Sequence, residues 1–367
     1  MALTYERLNQ NTDVTTTRTL LHEIIPLTGT IISGTYGTFP DEENIKNYSH
    51  GMFQSVYDYP YLSSSANHIF DITVGYDEES ALSGTTATQN SKKVNMYNQL
   101  SQLLLGYEAA TDKVEIFESD LDITDNTLGK VMKECVFLTF SRLLTKDQIK
   151  KGSFSIELGT GTFGSPMLSR LTLQDLRANV DGTQVGSSIG GDYAVLYDAT
   201  ASAVTSDNTS SYGVVFYQAG IVALSASAIW SGVADFASQS VTVLSGAAGS
   251  GPPRTVDYMQ STGSISGTCD AVRHRIYNLS YNNTTEINST IYFCRMPVNK
   301  FNYSSNPTYT TGSKIRVKNV ASDMPVSYVT TVGLYNASNE LLATAKLSEP
   351  LRKDPTNEVT LRVRLDY

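Results

Sequence analysis

Cysteine is scarce in this chain, and charge is scarcer than in most folded proteins. The three cysteines, Cys135, Cys269 and Cys294, are odd in number and far apart, with no Cys-x-x-Cys. That argues against a disulfide framework and against a zinc ribbon. Charged residues make up 17% of the chain, where globular chains carry about 25%. The net charge of −9 comes without any Lys/Arg cluster, so no electrostatic footprint for nucleic acid is present. No run of about 18 apolar residues exists, so no membrane-spanning helix is expected. The opening MALTYERLNQ is polar and charged, unlike a secretory leader. The several Asn-x-Ser/Thr triplets then carry no glycosylation meaning.

What replaces charge is Ser, Thr, Asn and, above all, tyrosine. There are 22 Tyr and 12 Phe against a single Trp. A polar, weakly charged, Tyr-rich surface suits lasting protein–protein contact, although strands favour Thr and Tyr in any case. The densest stretch is 46–70, KNYSHGMFQSVYDYPYLSSSANHIF. Its Tyr48, Phe53, Tyr57, Tyr59 and Tyr61 are the candidate interface residues, because tyrosine supplies large contact area at low entropic cost.

The last forty residues are the most legible. Tyr328–Tyr335, Leu341–Leu347 and Asn357–Tyr367 are β-branched, apolar runs separated by turn formers. They predict a three-stranded antiparallel meander. In the last run Val359, Leu361, Val363 and Leu365 alternate with Glu358, Thr360, Arg362, Arg364 and Asp366, so one face is buried and one is wet.

Upstream, residues 1–18 read as an extended arm. Thr19–Ile32, broken by Pro26 and Gly29, reads as two short strands, and Asp41–Ile45 as a short helix start. Ser91–Tyr107 predicts a helix with Val94, Tyr97, Leu100, Leu104 and Tyr107 as its apolar stripe, Ser91 as cap and Gly106 as stop. Lys113–Phe117, Gly152–Gly159, Tyr193–Tyr197 and the pair within Tyr212–Ser225 read as strands. Thr127–Leu144 mixes a helical start with an apolar run, and Ala226–Phe236 suits a short helix or further strand. Ser245–Pro253 is linker-like. Thr268–Tyr281 suits a helix with Val272, Ile276 and Leu279 on one side, followed by strands at Ile291–Met296 and Lys314–Val320. The fold class expected is mainly β with a few helices (α+β), built of antiparallel, sandwich-like sheets. The expected regions are the arm at 1–18, an α+β region at 19–160, a Gly/Ser/Thr-rich β region at 161–250, and a β region with one helix at 254–367.

No motif assembles chemistry. Gly159-Thr-Gly161-Thr-Phe-Gly164 matches GxGxxG, but Ser165-Pro166 follows in a turn-rich context. A turn needing positive φ is the better reading. Asp120, Asp122 and Asp125 resemble the start of a calcium loop, yet lack its central glycine and closing glutamate. The four histidines, His22, His50, His68 and His274, show no ligand spacing. His50 with Asp58 or Asp71 would be half a triad without a nucleophile signature. Cys294, in an apolar run, is expected to be buried and inert. No catalytic residue, cofactor or metal is therefore expected.

Three stretches carry a resemblance to a family. They are Leu21–Leu62 continuing through SSSANHIFDITVGY, then Asn95–Leu105 with Phe137–Leu158 (FLTFSRLLTKDQIKKGSFSIEL), then Tyr328–Tyr367. Together they resemble virion structural proteins of contractile-tailed phages that infect cyanobacteria. The middle, roughly 161–264, contributes least. The resemblance implies a non-enzymatic building block of the virion, assembled in the host cytoplasm, with other virion proteins and copies of itself as partners and no nucleic acid or membrane. A place at the tail or baseplate is the first expectation, a neck, connector or capsid-associated place the second. A receptor- or glycan-binding module around Tyr57-Asp58-Tyr59-Pro60-Tyr61 is a further alternative, and a virion-borne hydrolase a weaker one.

Overall fold

A computed structural model describes residues 5–26, 43–108, 113–122, 130–161, 169–175, 177–178, 185–199, 211–233, 235–237, 255–304, 310–311, 314–315, 322 and 324–367. The chain is mainly β with a few helices, and its large sheet is antiparallel. Along the chain come β1 (Val14–Pro26), β2 (Ile45–Asn47), β3 (Gln54–Tyr57), β4 (His68–Tyr76) and α1 (Asn90–Leu104). Next are β5 (Glu134–Phe140), α2 (Arg142–Thr145), β6 (Gln148–Ile149), β7 (Ser155–Gly159), β8 (Arg170–Gln174), β9 (Gly186–Ser188) and β10 (Gly191–Asp198). Then follow β11 (Ser211–Phe216), β12 (Ile221–Ser225), α3 (Ala226–Trp230), α4 (Val256–Thr262), α5 (Ile265–Arg273) and β13 (Ile276–Met296). The chain closes with β14 (Thr310–Thr311), β15 (Lys314–Ile315), β16 (Ser327–Tyr335), β17 (Leu341–Lys353) and β18 (Val359–Asp366). Two compact units emerge: Leu21–Thr285, and Met1–Leu20 with Glu286–Tyr367.

In the larger unit the strands run in the order β2-β3-β4-β5-β12-β11-β10-β8-β7-β13, every neighbour antiparallel. β5 and β12 lie mid-sheet. Val136, Leu138, Val222 and Leu224 join one core with Trp230, Met259, Cys269 and Val272 from α3–α5. Cys135, Phe137 and Ala223 join a second core with Tyr97 and Leu104 of α1. Burial on both faces is why CVFLTF and IVALS read as near-continuous apolar runs. Gly75 lets α1 lie against β4. A Cβ there would meet Lys93 O at 2.8 Å and Tyr97 N at 2.9 Å.

α1 forms where the periodicity predicts, but its inward face is Lys93, Tyr97, Ser101 and Leu104. Ser91 does not cap it; the N-cap is Gln89 in the left-handed region, without a side-chain cap bond. Gly106 does end it, at φ +98. Leading residues of α3, α4 and α5 are capped by Ser225, Thr255 and Ser264 side chains.

Several expectations are corrected. The polar arm and first apolar run merge into one strand, β1, from Val14. Ile45 opens a strand rather than closing a helix turn. Within Lys113–Phe117 only Val114 makes a β-bridge, to Tyr107. The helix expected at 268–281 starts at Ile265 and stops at Arg273, and Ile276 and Leu279 belong to β13. A bulge between Ile276 and Asn278 sets Ile276 and Leu279 three apart on one face, which imitates helical spacing. Of the predicted turn glycines, Gly159 ends β7 and neither Gly159 nor Gly161 has positive φ. Gly164, Asp125 and the 245–253 stretch lie outside the described residues.

In the smaller unit β18 pairs with β13, Tyr292 opposite Val363 and Cys294 opposite Leu361. It does not pair with β17, so the expected three-stranded meander is a hairpin, β16–β17, plus a strand that leaves it. Alternation specifies which face is buried but not which edge is partnered. The predicted alternation of β18 holds, with Val363 buried and Thr360, Arg362, Arg364 and Asp366 exposed. Cys294 is only half-buried.

Candidate protein interface on strands β2 to β4

The aromatic stretch builds the outer end of the large sheet. Ile45, Val56, Phe70 and Ile72 point into the core. By alternation, Lys46, Ser55 and Asp71 share the opposite face. They stand directly in register, Lys46 opposite Ser55, Ser55 opposite Asp71, and Asp71 opposite Thr139.

Two aromatic clusters flank this row. In the first, Tyr48 stacks on His50 at 5.1 Å with rings 8° apart, Phe53 lies 4.9 Å from Tyr48, and Lys46 Nζ sits 4.8 Å above the Tyr48 ring. In the second, Tyr57 lies 5.5 Å from His68 and 6.4 Å from Tyr61. A polar chain joins them: Tyr48 OH contacts Ser55 Oγ at 3.2 Å, Ser55 Oγ donates to Asp71 Oδ1 at 2.5 Å, and His68 Nε2 meets the same oxygen at 2.8 Å. The bond to Asp71 holds His68 more readily protonated than an ordinary histidine, against the opposing effect of burial. Burial, then Tyr48 and Asp71 nearby, push the Tyr57 hydroxyl upward.

The loop after β3 is fixed by its own bonds. Asp58 accepts from the Asn67 backbone N–H at 2.6 Å and from Asn67 Nδ2 at 2.8 Å, and Tyr61 N–H donates to Glu43 O at 3.1 Å. Tyr59 and Tyr61 remain 44% and 38% exposed at its tip. The five predicted residues are thus brought to one end of one sheet: Tyr48, Phe53 and Tyr57 half-buried, Tyr59 and Tyr61 outward. What sequence reasoning missed is the Ser55–Asp71–His68 linkage. Its trace is the three-residue spacing in HIFD beside a strand register that single-strand reading does not give.

This geometry is not that of an acyl-transfer triad, in which a histidine bridges nucleophile and carboxylate. Here the carboxylate is the bridge, Ser55 donates directly to it, and Ser55 is buried. The histidine paired with Asp71 is His68, while His50 Nδ1 accepts from Met52 N–H. Both oxygens of Asp58 already accept from Asn67, which removes them as first-choice acceptors for sugar hydroxyls. Among the described residues no group of three or more His, Cys, Asp or Glu could hold a metal ion. No helix there is long and apolar enough to cross a membrane.

The glycine motif also presents the wrong atoms for a phosphate. A phosphate cradle aims backbone N–H groups at the ligand. Here the carbonyls of Gly159 and Gly161 accept from the buried Arg275 at 2.9 and 2.8 Å, and Trp230 Nε1 donates to Gly159 O at 3.0 Å. The flanking strands β7, β8 and β13 are antiparallel, not a βαβ unit.

No protein-family model, no curated protein and no solved structure matches this chain.

Proposed function

We propose that this chain is a non-enzymatic structural component of a tailed-phage virion, associated with the tail or baseplate, that acts through protein–protein interfaces. The observation that carries this reading is the fixed aromatic face on β2–β4. Tyr48, Phe53, Tyr57, Tyr59 and Tyr61 are held there by strand register, ring contacts and loop hydrogen bonds. A surface ordered before binding loses little conformational entropy when a partner covers it. Tyrosine is the residue type that interface cores select while charge is depleted from them. The resemblance in 21–62 continuing through SSSANHIFDITVGY, in 95–105 with 137–158, and in 328–367 suggests the particle.

The test is cross-linking mass spectrometry on washed particles of a phage encoding this sequence. Lys46 and Lys92 flank the aromatic face, Lys92 Nζ donating to His50 O. Cross-links from these two lysines to tail proteins are the expected result. A particle that lacks the chain, or holds it with Lys46 and Lys92 linked to nothing, overturns the proposal.

A further inference from the structure

We infer that Lys353 and Asn302 join covalently: the lysine amine displaces ammonia from the asparagine side chain and leaves an isopeptide bond within the smaller unit. Among the described residues two lysines are buried, Lys93 and Lys353. Lys93 faces only backbone carbonyls, where displacement would cut the chain. Lys353 faces a side-chain carboxamide, its Nζ standing 2.6 Å from Asn302 Oδ1. A C=O bond is about 1.23 Å long, so Asn302 Cγ lies within about 3.8 Å of that amine. Pairs poised to react stand about 3–3.5 Å apart, so little movement remains.

Both partners are held in place. Asn302 is buried, and its Nδ2 donates to Val298 O at 2.7 Å, which orients the carboxamide. Lys353 ends β17 opposite Ser327 of β16, and Ser327 Oγ donates to the carbonyl of Phe301, the residue before Asn302. The smaller unit also has use for a covalent link. Its buried apolar side chains, among the described residues, are Met296, Val326 and Val363. It holds one cysteine, Cys294, so no disulfide can form within it. Small cores are commonly reinforced by such staples, which act by restricting the unfolded chain. This one would tie the turn after β13 to the end of β17.

The step balances without a co-reactant. The Nζ–Cγ bond forms and the Cγ–Nδ2 bond breaks. Two protons pass from the Lys353 ammonium to the departing nitrogen, which leaves as ammonium. Asp354 is placed to carry them. Its backbone carbonyl accepts from Nζ at 2.9 Å. Hydrogen bonds from Thr356 hold its carboxyl below the usual range against burial, and the charges of Arg352 and Lys353 add to this, so the carboxylate is within electrostatic reach of the amine. A carboxylate that takes a proton from one nitrogen and returns it to the other is a general acid–base catalyst. The inference does not rest on the virion reading, because the bond forms within one chain.

The experiment is intact mass spectrometry of the full chain after denaturation, followed by protease digestion and peptide sequencing. The expected result is a mass short by one ammonia and a branched peptide that joins Asn302 to Lys353. Lys353→Met should keep the full mass whether or not it folds. Asp354→Asn retains an oxygen for Thr356 but cannot carry the proton, so the branched peptide should accumulate about a hundredfold more slowly, and Asp354→Glu should recover part of that rate. A full wild-type mass both in fresh protein and after days in solution leaves an ordinary hydrogen bond and overturns the inference. So does a missing ammonia that maps to other residues or persists in Lys353→Met. An Asp354→Asn chain that links at the wild-type rate overturns the role given to Asp354.

Discussion

Lys93 and Arg275 are both sealed from solvent, and among the described residues their hydrogen bonds all run to backbone carbonyls. Lys93 Nζ donates to Gln260 O, Ser261 O and Gly263 O at 2.5, 3.2 and 2.8 Å. These are the carbonyls left over at the C-terminal end of α4, where the helix dipole favours a cation. Arg275 reaches Gly159, Gly161, Asp235 and Phe236 carbonyls, tying three chain segments with one planar group. Burial pulls Lys93 down to about 8 and Arg275 to about 10. Lys93→Met should cost about 2 kcal/mol or more in chemical denaturation at pH 7, since it strands the α4 carbonyls. The unfolded chain binds more protons than the folded one between pH 8 and the ordinary lysine value of 10.5. Lys93 therefore makes wild-type stability rise with pH through that window, and the difference between wild type and Lys93→Met should widen across it. At His68 the sign is opposite. Its raised value means a contribution complete below pH 6.5 and lost as pH climbs through the folded value. In an NMR titration, Asp71→Asn should move His68 to a lower midpoint; an unmoved midpoint would show that Asp71 does not hold it.

At the scale of elements, close backbone approach matters most at Gly75, where α1 rests on β4. Gly75→Val would force the helix off the sheet and open the core around Tyr97 and Phe137. A loss of about 1–3 kcal/mol is expected, visible as an earlier midpoint in urea. Gly84, with nothing near its absent Cβ, should tolerate alanine and serves as the control. Elements whose signal is local were legible. α1, the β11–turn–β12 pair and the alternation of β18 all stand where periodicity puts them. Elements whose boundaries depend on distant partners were not. α5 and the start of β13 read as one helix because Val272, Ile276 and Leu279 satisfy a helical period, and only pairing with Ile156 and Leu158 of β7 fixes Ile276 and Leu279 as strand.

For the whole molecule, the two units differ in what they bury. The larger holds two continuous cores, and among the described residues of the smaller only Met296, Val326 and Val363 are buried apolar side chains. Trp230, the only tryptophan, is buried in the larger unit against Phe236, so its fluorescence reports that unit alone. Circular dichroism reports the strands of both. The dichroism should begin to fall at lower denaturant than the fluorescence, because apolar burial dominates stability and little of it holds the smaller unit. Coincident curves would mean the two unfold as one.

The sequence by itself determined the β-rich character, the main helix, the aromatic concentration at 48–61 and the polarity of each face of β18, because each is written in spacing along a single strand or helix. Tertiary structure alone decided which edges pair, that β18 leaves β17 for β13, that a lysine lies on the inner face of α1, and that Ser55, Asp71 and His68 meet. Those outcomes depend on which distant backbone offers a free edge or an unpaired carbonyl, and local patterning carries no record of that.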